Sequence, residues 1–402
     1  MPHCSEKFKY YLRKPTAVWV QSWWTELQLM LSLLNNFCYE NSKGKEDLIT
    51  RGIMEKLLNI WTILIKLPNP SSPPIDLVKT SITAILKLLT SMTCDCEQAK
   101  SALVKNSIIS SEGTVSKENP QQNLLHHFLN ICKSDWRDPS IKLFQSMEGQ
   151  TYFTRVAYPL AFRIIMSSLT NKDCRLNILR NKFPDNCLQF IEYERDQKQG
   201  NQKRKTATEV ILSSTRRNFA ILWFDFLLSL TTFPDGQSWL GTKGELLDIL
   251  IDIASTDLYP DTPKIDLTGL AALAILRNVS FNSSNRARLI LSKKFLRLLA
   301  DKVLITKQDH SSKSEDNKQA ENIALSAVWA LSANNHKAKV AFSDAGITKL
   351  LTDEYNRREV ESDQRITQGN KKHKVRFVDE NENIEFQQST SMLKEVLCIL
   401  NP

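Results

Sequence analysis

The stretch LAALAILRNVSFNSSNRARLILSKKFLRLLAD, residues 270–301, decides how this chain is to be read, because ALSAVWALSANNHKAKVAFSDAGITKLL, residues 324–351, repeats its plan. Each begins with an apolar helical stripe. A short polar turn follows, then a short amphipathic helix, then a second one ending in Leu-Leu. Taking Val279 and Leu331 as anchors, four further segments fall into the same register, anchored at Phe37, Met92, Leu169 and Leu230. Three positions earlier stand Leu34, Leu89, Met166, Leu227, Leu276 and Val328; four earlier stand Leu33, Leu88, Ile165, Phe226, Ile275 and Ala327. Seven and eight positions earlier every segment is again apolar, from Met30 and Leu29 in the first to Ala324 and Ile323 in the last. Side chains at such offsets share one face of an α-helix. A common register in six segments therefore predicts six equivalent helices, each burying the same face.

Composition agrees. Glycine contributes 11 of 402 residues, less than half of the usual ~7% share. Such poverty disfavours phosphate-cradling loops and tight hairpins, and with them nucleotide-binding α/β and all-β folds. Apolar residues at 42% and charged residues at 24% suit a folded chain. After each anchor a polar turn leads to a new apolar residue at Leu48, Leu103, Leu179, Leu240, Leu289 or Val340. Short helices beginning near Gly52, Phe295 and Gly346 complete the unit. Anchors lie 49 to 77 residues apart, against about 40–47 for armadillo and HEAT units, so every unit carries an insertion. The expected fold is all-α: an armadillo/HEAT-like right-handed superhelical solenoid of about six repeats with long polar insertions. The array is expected over 1–356, with insertions near 67–75, 107–122, 196–208 and 306–318. A disordered basic linker is expected over 357–383 and a C-terminal helix over 384–402.

The position before each anchor is Asn36, Ser91, Ser168, Ser229, Asn278 or Ala330, small and polar in five of six units. It lies at the edge of the apolar stripe, where it either lines a groove facing a guest backbone or forms a polar boundary. With Arg277 beside Asn278, the candidate partner-binding concave face is Asn36, Ser91, Ser168, Ser229, Arg277 and Asn278.

The two quoted units resemble the armadillo family, in opening with the A-x-x-A-L-x-N-L-S look of that family's third helix and, in the second, in the Ala-Gly-Ile and Leu-Leu ending. More narrowly, the run from Trp23-Trp24 through NNHKAKVAF resembles the C-terminal armadillo-like region of a family of very large centriole and cilium-base proteins. That resemblance implies a non-enzymatic scaffold in centriole assembly, ciliogenesis and left–right axis patterning. It also implies centriolar or centrosomal protein partners, and a place in the cytoplasm and cytoskeleton at the centrosome, centriole and cilium basal body. It would cover most of this chain but a fraction of that family's full length. The alternative is a generic armadillo-type adaptor of cytosol or nucleus, serving transport or signalling, or, less readily, a nucleic-acid-binding solenoid.

Other chemistry is weakly signalled. P-loop, dinucleotide, zincin and nucleophile-elbow motifs are missing from the sequence, so no catalytic residue, cofactor or metal is expected. The eight cysteines, among them the closely spaced Cys94 and Cys96, are irregular and read as reduced thiols. His126 and His127 point about 100° apart on a helix and read as a surface pair. Trp24, Trp61, Trp223 and Trp329 fall on apolar stripes and read as core. Armadillo import adaptors clasp basic peptides with Trp and Asn four residues apart. Here Trp223 has Leu227 and Trp329 has Ala333 at that offset, so the ladder is absent. Lys203-Arg204-Lys205 and Arg216-Arg217 resemble a bipartite nuclear signal but read more simply as a solvated basic linker. The net charge of +9 is therefore taken as loop charge with modest affinity for acidic partners, not as a nucleic-acid surface. The N-terminus has no apolar run of signal-peptide type, and the most apolar stretch, Phe219 to Leu230, is broken by Asp225 and too short to span a bilayer.

Overall fold

In a computed structural model the described residues are 21–67, 75–105, 123–133, 139, 141–198, 207–256, 267–304, 315–369 and 380–400, and all of their regular structure is helical. The expected insertions fall largely on 68–74, 106–122, 199–206 and 305–314, which lie outside the described residues, as do 1–20 and 370–379. The chain divides into two compact units, Met1–Asn186 and Cys187–Pro402.

In the first unit the long helices α1 (Gln21–Cys38), α4 (Ile75–Cys94) and α8 (Tyr158–Ser168) pack on one another in chain order. The short helices α2 (Ser42–Thr50), α5 (Glu97–Val104) and α9 (Lys172–Arg180) follow the same order beside them. Helices α3 (Ile53–Ile65) and α6 (Leu124–Lys133) meet through Trp61 and Phe128, whose rings lie edge to face with centroids 5.3 Å apart. Helix α4 is long and apolar enough to cross a membrane; here Val78, Ile82, Ile85, Leu86, Leu89 and Met92 are buried between α1 and α8.

The second unit repeats the scheme. Its long helices are α11 (Ala207–Leu230), α14 (Leu267–Ser280), α17 (Glu315–Ser332) and α20 (Glu380–Leu400), packed successively. The short helices α12 (Pro234–Gly241), α15 (Ser283–Leu291) and α18 (His336–Asp344) form a second series. A third is made of α10 (Leu188–Lys198), α13 (Gly244–Ser255), α16 (Lys293–Leu304) and α19 (Ile347–Gly369).

The shared apolar register is the buried face. Met92, Leu169, Leu230, Val279 and Leu331 are buried, as are their partners three and four residues earlier in the helices from α11 onward. Leu29 and Leu33 differ, each 58% exposed. In α18 the expected apolar position, Val340, is exposed, and Phe342 and Ala338 fill the interior instead. In a nine-residue helix a shift of two residues turns a side chain by about 160°, back toward the solvent side.

The turns repeat as well. Asn41, Asn171, Asn282 and Asn335 each cap a short helix by accepting from a backbone N–H at 2.9, 3.1, 3.0 and 3.4 Å. Ahead of the third helix of the unit, Gly52 and Gly346 take φ of +72 and +73, a left-handed conformation that costs glycine little. Lys182, after α9, takes the same conformation at φ 52.

Three boundaries differ from expectation. Helix α10 reaches Lys198, and α17 already begins at Glu315, inside the stretches assigned to insertions. The long anchor spacing before Leu169 is not loop alone. It holds α7 (Met147–Tyr152) and a π-helical stretch, Phe153–Ala157, leading into α8 with its Pro159. Proline lacks the N–H that would close the regular helical bond. Phe144, Phe153, Tyr158 and Phe162 stack around that stretch, and Tyr152 donates to the Lys79 carbonyl at 2.8 Å. Finally, α19 runs past 356 to Gly369, into the stretch expected as a linker, and the last helix starts at Glu380 rather than 384. An ionic cluster docks the start of this stretch on α17. Arg358, 2% exposed, bonds Glu354 from Nε at 2.8 Å and pairs with buried Glu321 of α17, while Arg357 bonds the same Glu354 at 2.6 and 3.0 Å.

Candidate partner-binding face

The six candidate residues lie at corresponding points near the C-terminal ends of the long helices, but they do not present one surface. Asn36 is exposed on α1, and Ser91 on α4 and Ser229 on α11 are half-buried. Ser168 is fully buried and donates to the Ile165 carbonyl at 2.7 Å, so it reaches no partner. Asn278 is 5% exposed and spent on its neighbours: its amide nitrogen donates to the Thr231 hydroxyl at 3.3 Å. Its carbonyl accepts from Arg277 Nε and Nη2 at 3.1 and 2.8 Å.

What these polar edge residues do is join successive long helices. Ser91 donates to Asn35 at 2.7 Å, linking α4 to α1. Thr93 and Ser167 share a hydrogen bond of 2.8 Å, linking α4 to α8. The Asn278–Thr231 bond does the same between α14 and α11. A similar economy holds in the short helices, where Arg175, Gln237 and Asn285 donate to carbonyls of Leu169, Thr231 and Val279 at 2.7, 3.0 and 3.3 Å. These carbonyls lie at the ends of long helices, where intrahelical donors run out; that of Val279 also accepts from the Asn282 N–H at 3.3 Å.

The accessible line runs one residue earlier, two before each anchor. In the second unit it holds Leu228, Arg277 and Trp329. Trp329 corrects the reading of that residue as core: it is 40% exposed, whereas Trp24, Trp61 and Trp223 are fully buried. It opens a groove of about 410 Å³ on the side of α20, completed by Ser391, Lys394, Glu395, Cys398 and Ile399. Leu393, Val396 and Leu400 are the buried residues of α20. Their spacing of three and four repeats the stripe of the other long helices, which puts Cys398 at the position of Trp329 and Arg277. That register was present in the sequence, and extending it to Leu400 would have found the groove.

Electrostatically, Arg277 stands out. Burial lowers its pKa below the usual guanidinium value, and among the described residues its guanidinium bonds only the neutral Asn278 amide. Among the described residues no carboxylate pairs with it. Asp225 on α11 has its own carboxyl raised by burial, with no cation holding it down. The seven described cysteines are free thiols, with Cys94 and Cys398 exposed. No group of three or more His, Cys, Asp or Glu side chains comes together among the described residues.

These features define an all-α protein of consecutively packed helices with a polar, partly open face along its long-helix ends. No family model matches the chain. By sequence it is similar to rotatin of Homo sapiens and to rotatin of Mus musculus, each 22% identical over 332 residues. The match takes in 82% of this chain but 12% of the relatives' length. Among solved structures, an engineered protein aligns over 83% of this chain at 12% identity with a TM-score of 0.41. A structure from work on a phosphorylation switch between cadherin and β-catenin aligns over 99% at 13% identity, with a TM-score of 0.33.

Proposed function

We propose that this chain is an armadillo/HEAT-like right-handed solenoid that serves as a non-enzymatic protein-interaction scaffold. The observation that carries this is the threefold order of packing. Long, short and third helices each follow their own series within a unit, as stacked repeats do. Within a unit such stacking lines up the ends of the long helices, and protein recognition is the usual work of stacked-helix surfaces.

By its similarity to rotatin we assign the scaffold to the centriole and cilium basal body, with centriolar proteins as partners. Centriole assembly, ciliogenesis and left–right patterning are then the processes it would serve. In the first unit the proposed face keeps Asn36 and Ser91; in the second it keeps Ser229 and Arg277 and gains Trp329. Proximity labelling of the tagged chain in ciliated cells tests the assignment. Enrichment of centriolar proteins over an unrelated helical control is expected; a diffuse cytosolic or nuclear profile would overturn the location and leave the generic adaptor.

A further inference from the structure

The line through Arg277, Trp329 and Cys398 combines two features that internal packing does not explain. A half-buried guanidinium has lost water without gaining a carboxylate. On the next long helix, a tryptophan with 40% of its surface open borders a groove whose far wall carries Ile399 and Lys394. An uncompensated cation at a partly desolvated site gains from any anion that reaches it. An exposed aromatic face in a groove gains from an apolar side chain laid on it.

We propose that the second unit docks an extended acidic segment of a partner protein, with a carboxylate on Arg277 and an apolar side chain against Trp329 and Ile399. The proposal rests on the scaffold reading above and specifies its partner class. The two anchors lie at the same register on packed neighbours α14 and α17, and packed helix axes stand about 8–10 Å apart. An extended chain advances about 3.3 Å per residue, so the acidic and apolar residues of the guest stand about three apart. Lys394 extends the positive side of the groove and Glu395 opposes it, so a second guest acid is favoured near Lys394 only. The charge sense excludes basic guests, as does the missing Trp–Asn ladder.

The test is a selection of random twelve-residue peptides displayed on phage against the purified, immobilised full chain, followed by affinity measurement with fluorescent copies of the selected peptides. Enrichment of an acidic residue three positions from an apolar one is expected. Arg277→Glu and Trp329→Ala should each weaken the peptides about tenfold or more. Arg277→Lys should retain part of the affinity, and a Lys variant of the peptide's acid should bind Arg277→Glu better than the parent chain does. Because Arg277 contacts Asn278, Lys394→Glu serves as an exposed second variant, expected to weaken binding with an unchanged melting curve. No enrichment over an unrelated helical protein, enrichment of basic peptides, or affinities indifferent to all three positions would overturn the proposal. Centriolar labelling that survives Arg277→Glu and Trp329→Ala would then keep the scaffold reading and place its partners on another face.

Discussion

At the scale of residues, the polar side chains near each helix junction are committed to geometry before they are free to recognise anything. Asn335 accepts from the Ala338 N–H and Asn171 from that of Cys174. Replacing either by alanine should cost about 1 kcal/mol, read as a lowered denaturation midpoint with the helical signal otherwise retained. The ionic cluster is a stronger dependence. Glu321→Ala leaves Arg358 buried without that carboxylate, a change expected to cost about 3–5 kcal/mol; urea unfolding measures it. The same cluster sets a pH dependence. Burial opposes ionisation of Glu354, but the bonds from Arg357 and Arg358 outweigh it and hold the pKa below the ordinary 4.5. A depressed carboxyl pKa stabilises the fold above the unfolded value and loses that contribution as pH falls through the folded one. Stability should therefore drop below about pH 4.5, and Glu354→Gln should flatten that part of the profile. A Glu354→Gln chain with the parent's acid limb would show that other carboxylates dominate. The asparagines were visible in the sequence as turn residues, but the partner of each was not. Asn278 and Trp329 were read in opposite senses from how they pack, because one residue along a helix is about 100° of rotation.

At the scale of elements, the period of the long helices was legible throughout, since apolar spacing is a local property of the chain. The left-handed glycines before the third helices were legible too. Gly346→Ala should cost about 1 kcal/mol, because alanine at φ of +73 is strained even where space is open. Lys182 already bears that strain at φ 52, so Lys182→Gly is expected to leave stability unchanged or raise it; thermal melts of the two variants should move in opposite directions or not together. Less legible were the aromatic insertion before α8 and the extension of α19. The first is held by contacts such as Tyr152 with Thr83, at 2.8 Å and 69 residues apart in the chain. The second is held by Glu321, 37 residues away. Nothing local in a polar run such as NRREVESDQ distinguishes a docked helix from a solvated linker.

At the scale of the whole molecule, each unit is a succession of nearest-neighbour contacts. In such an arrangement a defect is felt mainly by adjacent layers. Trp61 and Trp223 are both fully buried, one in each unit. Truncation of either to alanine is expected to cost about 3–5 kcal/mol locally. In hydrogen exchange, Trp61→Ala should lose protection in α1 to α6 well before α14 to α18, and Trp223→Ala should show the reverse. Uniform loss in both variants would mean that the chain opens as one cooperative body.

What the amino-acid sequence determined by itself was the helical class and the apolar stripe along the long helices, because these follow from side-chain period and glycine scarcity. What only the tertiary structure decided was how the edge of that face is used. Whether a residue there bridges to the next helix, as Ser91 does with Asn35, or stands open, as Trp329 does beside α20, depends on the side chain that arrives from another helix. That neighbour lies dozens of residues away, and a single step of register turns the edge from bonded to bare.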